Sequence, residues 1–95
     1  MKLRNVKKLD KFIKKHRSSK TSIENWKIFV EHGDWKCLED VGKAYAINPI
    51  SESRIVFKLG GYKWRIDTKI DYQSKHLFIK RVGTHEEYNK WRYDD

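Results

Sequence analysis

Apolar residues along this 95-residue chain keep a helical spacing in the first half and alternate two by two in the second. From Val6 onward Leu9, Phe12, Ile13 and His16 recur at the helical interval, and Lys7, Lys8, Lys11, Lys14 and Lys15 fill the other positions. Ser18 to Lys20 is a polar break. Thr21 and Glu24 then read as a capping box opening a second helix, whose buried stripe is Ile23, Trp26, Phe29 and Val30 and whose stop is Gly33. Asp34 to Ala46 reads as a turn and a short helix anchored by Trp35, Leu38 and Val41. Asn48-Pro49 breaks the chain before the strands. Met1 to Val6 has room for one short edge strand.

Arg54 to Leu59 and Tyr62 to Tyr72 both alternate, and the Gly60-Gly61 pair between them suits the two-residue loop of a type I′ hairpin. That loop sets Leu59 against Tyr62, Phe57 against Trp64 and Ile55 against Ile66 on an apolar side. On the other side Lys58 faces Lys63, Val56 faces Arg65 and Arg54 faces Asp67. A second loop at Gln73-Ser74 returns Leu77 to Val82 as a third strand, with Leu77 opposite Ile70, Ile79 opposite Thr68 and Lys80 opposite Asp67. Arg54, Lys58, Lys63, Arg65, Lys69 and Lys80 thereby share the open side with Asp67 and Asp71. Directly opposed lysines repel by a few tenths of a kcal/mol, which an anion lying between them relieves. The competing reading is an ordinary solvated sheet face. The two N-terminal helices cover the apolar side, so the predicted fold is α+β: two helices on a small antiparallel sheet, with a short C-terminal helix.

That last helix starts in Gly83-Thr84-His85-Glu86-Glu87-Tyr88, where Thr84 and Glu87 form a capping box. His85 and Tyr88 then lie three apart on one face of its first turn. An imidazole, a phenol and cations at the end of a sheet suit phosphate chemistry. The same spacing also fits a helix whose packed side is His85, Tyr88 and Trp91, and Trp91 is assigned to the core.

Charge sharpens the choice. Lys and Arg total 22 against 13 Asp and Glu, a formal net charge of +9. Such an excess favours a polyanionic partner, because phosphates release counterions on binding cations. RNA, DNA, an acidic membrane surface or an acidic protein all satisfy charge alone. The length suits one domain over residues 1–95. No run of about 18 apolar residues is present, and the basic N-terminus lacks an apolar signal core, so the expected location is the cytoplasm. Cys37 stands alone and reads as an idle thiol. His16, His32, His76 and His85 are scattered, and the acidic residues are single or terminal, such as Asp94-Asp95. No metal and no cofactor are therefore expected.

In order and spacing, Asp34-Trp35-Lys36, Asp40-Val41, Arg54-Ile55-Val56-Phe57, Tyr62-Lys63-Trp64-Arg65-Ile66, Lys69-Ile70 and Gly83-Thr84-His85 with Tyr88 resemble the HigB-type toxins of bacterial toxin–antitoxin pairs, within the wider RelE/ParE superfamily. The resemblance implies helices on a small antiparallel sheet and a metal-independent mRNA interferase. Such toxins usually cut messages on the translating ribosome and are neutralised by a HigA-like helix-turn-helix antitoxin. By position, it makes Arg65 the arginine that contacts the scissile phosphate and puts Lys80 in the place of a strand arginine. His85 and Tyr88 match the family's His-x-x-Tyr signature. The chain departs from its relatives at Lys80, which gives up a bidentate phosphate contact. It departs also at Lys58, where they often carry asparagine, and at Asn89, where they usually carry aspartate.

A ribonuclease without a metal uses the RNA's own 2′-hydroxyl as nucleophile and needs a base, an acid and cations for the phosphorane. His85 is the expected proton handler. Arg65 and Lys80 stabilise phosphate, and Tyr88 orients it or stacks on a base. Arg54, Lys58, Lys63 and Lys69 hold the RNA backbone. Two other readings share the fold: a non-catalytic nucleic-acid-binding module and a ParE-like toxin directed at gyrase.

Overall fold

In the computed structural model, which describes residues 1–93, the chain runs β1 (Lys2–Arg4), α1 (Lys7–Lys15), a 3-10 turn (Arg17–Ser19), α2 (Lys20–Glu31), α3 (Leu38–Ala44), β2 (Ile47–Pro49), β3 (Arg54–Leu59), β4 (Trp64–Asp71), β5 (His76–Thr84) and α4 (His85–Tyr88). The terminal pair Asp94-Asp95 lies outside the described residues. The strands form one sheet in the order β1-β5-β4-β3-β2. Neighbours from β2 to β5 are antiparallel, and β1 adds a parallel edge beside β5. The α+β class and the helices expected at both ends of the chain are present.

One face of the sheet carries the apolar core. Leu9 and Phe12 of α1 and Ile23, Trp26 and Val30 of α2 pack on Ile55, Phe57, Ile66, Leu77 and Ile79. Trp26 meets Phe57 edge-on at 5.3 Å between ring centroids, a favoured aromatic geometry. Trp35 and Val41 also join this core, as their spacing indicates.

Several local readings need correction. α2 opens at Lys20, so Thr21 lies inside the helix and caps nothing; the preceding Ser19 makes no cap bond either and donates its hydroxyl to the His16 carbonyl at 2.6 Å. The 3-10 turn joins α1 directly to α2 and leaves no free N-terminus for Thr21 to cap. Gly33 is not a left-handed stop. It is needed for space, since a Cβ there would stand 2.8 Å from the Trp35 indole. Asn48-Pro49 does not break the chain but completes β2, an edge strand on β3. An edge is where a strand tolerates proline.

The first hairpin is two residues out of the expected register. Leu59 faces Trp64, Phe57 faces Ile66, Lys58 faces Arg65 and Arg54 faces Lys69. The turn holds four residues, with Gly60, Gly61 and Tyr62 all at positive φ (58°, 64° and 71°). A type I′ loop needs two such residues; extending the left-handed run to Tyr62 lengthens the turn. A shift of two preserves the faces, so the apolar side survives the error.

The second hairpin begins in the expected register, with Leu77 against Ile70 and Ile79 against Thr68. A β-bulge then intervenes, and Asp67 faces Arg81 rather than Lys80. The physical reason is in the sequence. Ile79 and Val82 both turn toward the helices, and a spacing of three demands one extra residue in the strand. Lys80 is that residue.

Candidate functional site

The sheet face away from α1 and α2 is not an open wet surface at its centre. Val56 and Asp67 are fully buried and Arg65 is 5 % exposed. The segment from α4 to Tyr93 lies over them. Its start is fixed by the capping box, in which the Glu87 amide donates to Thr84 Oγ1 at 3.2 Å and the Thr84 amide donates to Glu87 Oε1 at 2.9 Å. Gly83 gives the segment room, because a Cβ there would stand 2.7 Å from Trp91 Cζ2. Trp91 therefore does not belong to the helix-side core; it packs on this second face.

A buried carboxylate organises the middle of this layer. Arg54 grips Asp67 with two bonds, Nε to Oδ1 and Nη2 to Oδ2, both 2.9 Å. Arg81 Nε reaches Oδ2 at 2.8 Å. The expected Arg54–Asp67 contact thus forms, across a diagonal rather than face to face. Aromatic rings lie against the guanidiniums. Arg81 Cζ is 4.8 Å from the Trp91 ring centroid and 5.1 Å from that of Tyr93, which also sits 5.4 Å from Arg54 Cζ. Each such contact is worth about 0.5–2 kcal/mol, more where water is excluded. Burial pushes the Tyr93 phenol above its ordinary pKa, helped by the nearby Asp67 carboxylate and opposed by Arg81 and Arg54.

Toward the strand ends the layer brings together most of the residues expected to carry chemistry. Arg65, opposite Gly83 on β5, places its guanidinium 5.1 Å from the Tyr88 ring centroid. Its Nη1 donates to the Tyr62 carbonyl, and at 3.4 Å to that of Trp64. Its Nε is buried with no partner among the described residues. Tyr88 Oη accepts from the Asn48 side-chain amide, which ties α4 to β2. His85 is exposed, with its ring 6.4 Å from Tyr88, and its backbone amide donates to the Lys63 carbonyl at 3.0 Å. Lys58 Nζ lies 5.3 Å over the Tyr62 ring. His85, Tyr88, Arg65, Lys58 and Lys63 therefore share one end of the sheet.

The remaining candidates lie elsewhere. Lys80 is four residues along β5 from Thr84, roughly 13 Å at the rise of a strand. At the bulge it is exposed and lines both a cleft with α1 and a second one with Lys69. Lys69 is exposed beside Ser53, Phe78 and Lys80, and Arg54 is bound to Asp67. Arg81 and Asn48 were missed by sequence reasoning. The Ile79-to-Val82 spacing signals the bulge that turns Arg81 toward Asp67; no comparable signal marks Asn48, whose contact with Tyr88 spans 40 residues.

The fold and this layer define a small basic α+β chain whose titratable and cationic side chains meet where three strands end. A family model described as HigB toxin, the RelE-like toxic component of a toxin–antitoxin system, matches residues 19–91, and the chain belongs to that family. A comparison with curated proteins gives no match. Among the described residues no helix is long and apolar enough to cross a membrane.

Proposed function

We propose that this toxin is an mRNA interferase, a metal-independent endoribonuclease of the cytoplasm that cuts messages on the ribosome and is held in check by a HigA-like helix-turn-helix antitoxin. The observation that supports it most is the meeting of exposed His85 with Tyr88, Arg65, Lys58 and Lys63 at one end of the sheet. In the proposed reaction the RNA 2′-hydroxyl gives its proton to His85 while its oxygen bonds to phosphorus. The bond from phosphorus to the 5′-oxygen breaks, and that oxygen takes a proton from solvent or from the Lys63 ammonium. The products are a 2′,3′-cyclic phosphate and a 5′-hydroxyl. Lys58 and Lys63 offset the charge gained by the phosphorane, and Arg65 contributes a fixed positive field from beneath Tyr88. Tyr88, held by Asn48, orients the phosphate or stacks on a base. Lys80 and Lys69 serve the longer RNA path rather than the bond that breaks, and Arg54 holds the layer together through Asp67.

The test is induction of the chain in cells followed by mapping of transcript 5′ ends. New ends inside coding regions, absent with His85→Ala, are the expected result. Intact transcripts accompanied by DNA damage would move the assignment to gyrase. Transcripts intact without DNA damage, with RNA binding retained, would leave a non-catalytic module.

A further inference from the structure

A second cationic region lies away from His85, in a cleft of about 670 Å³ between α1 and the bulged part of β5. Its rim carries Lys8, Lys11, Lys14 and Lys15 of α1 and, from the other side, Lys80. None of the five makes an ion pair with a carboxylate among the described residues. Among the described residues the one acidic side chain in the lining is Glu87, whose carboxylate accepts from the Thr84 amide. Arg81, also in the lining, is bound to Asp67. Among the described residues the lysines thus stand without a paired carboxylate around a concave surface.

The apolar part of the lining is Phe12, Val82 and Trp91. Trp91 lines this cleft while packing on Arg81, and His16 lies 4.5 Å from Phe12 between ring centroids. A flat aromatic lining under a cationic rim suits a molecule with a planar base at one end and phosphates at the other. The volume falls within the range of small-ligand clefts. Two features build the site. The bulge adds Lys80 as a residue the ladder does not need, and α1 supplies the opposite wall. All of α1 lies outside the segment matched to the family model, which begins at residue 19.

We propose that the α1–β5 cleft is a nucleotide site separate from the His85 end of the sheet, with phosphates on the lysine rim and a base against Trp91. The nucleotide comes either free, as a nucleoside triphosphate, or within an RNA strand. This site does not depend on RNA cleavage.

Titration of the full chain carrying His85→Ala, which keeps RNA whole, tests the idea with ATP, GTP, a five-nucleotide RNA and inorganic triphosphate. Tryptophan emission and calorimetry are the readouts. Expected are binding of a nucleotide or the RNA tighter than of triphosphate, quenching that disappears in Trp91→Leu, and a loss of about tenfold or more in affinity in the double variant Lys11→Glu, Lys15→Glu. Tight binding of ATP or GTP identifies a free nucleotide, and binding of the RNA alone identifies a strand. A control pair, Lys36→Glu with Lys43→Glu, makes the same charge change outside the cleft lining. Equal weakening by both pairs, binding no better than triphosphate, or no binding at all would overturn the proposal. Binding retained here while the unsubstituted chain leaves RNA uncut would sink the nuclease reading and leave this site standing.

Discussion

Both faces of the sheet are buried at their centres, but by different physics. The helix face is closed by volume: Trp26, Phe57, Ile66, Leu77 and Ile79 are all without exposure. The far face is closed by polar matching, with Asp67 shared by two guanidiniums and three aromatic rings laid over cations. A packed apolar face tolerates swaps that conserve volume. A paired charge tolerates almost none, because removing one partner leaves the other in a place water does not reach. Two of the buried polar atoms without partners among the described residues, Arg65 Nε and Tyr93 Oη, lie in the second layer. Incomplete satisfaction of that kind is tolerated most often where function requires the groups.

The largest effects should separate the two faces. Asp67→Ala strips both guanidiniums of their shared carboxylate and should destabilise the chain by about 3–5 kcal/mol in urea unfolding. Trp26→Ala should cost a similar amount, about 3–5 kcal/mol, through the cavity it leaves. Asp67→Asn keeps the volume and removes the charge, so it should remain severe if polar matching closes that face. A loss below 1 kcal/mol would show instead that shape alone closes it.

Gly83→Ala should cost about 1–3 kcal/mol, since the new methyl meets Trp91 and must push it from Arg81. A changed tryptophan emission spectrum is the accompanying sign. Smaller again is Tyr62→Gly, which removes a left-handed side chain that is 57 % exposed. Relief of the backbone offsets the added freedom of glycine, so stability should rise by less than about 1 kcal/mol. Tyr62→Ala keeps the strain and should not rise. The smallest effect is alkaline. The Tyr72 phenol is pushed up to about 12, chiefly by burial and then by Glu52, and donates to the Glu52 carbonyl at 2.7 Å. Its folded pKa is the higher one, so its contribution is complete below pH 10 and fades as pH rises from about 10 to 12. Tyr72→Phe should remove that part of the alkaline slope in a pH series of melts.

How legible each face was follows from the same contrast. Helical and two-residue periods are direct images of burial against apolar neighbours, so Leu9, Phe12, Trp26, Phe57 and Ile66 could be assigned before any coordinates. The faces of β3 and β4 survived even a register error, because a slip of two preserves parity. The polar layer has no such period. Arg65 and Asp67 look like solvent-facing positions in an alternating strand, and only the return of Tyr88, Trp91 and Tyr93 over them makes them buried. Lys80 was set against Asp67 because counting assumed an unbroken ladder. The Ile79-to-Val82 spacing contained the correction, whereas Asn48 meets Tyr88 by a long-range contact that no local pattern encodes.

If the end of the polar layer cuts RNA through His85 without a metal, the cut ends carry the record of it. The chemistry of the new ends, read after toxin and purified ribosomes act on a translated message, is the measurement to make. Expected are 2′,3′-cyclic phosphate and 5′-hydroxyl ends, with His85→Ala slowing cleavage by about 10²–10⁴-fold and leaving the melting curve unchanged. Ends bearing a 5′-phosphate, or full-rate cleavage by His85→Ala, would contradict it.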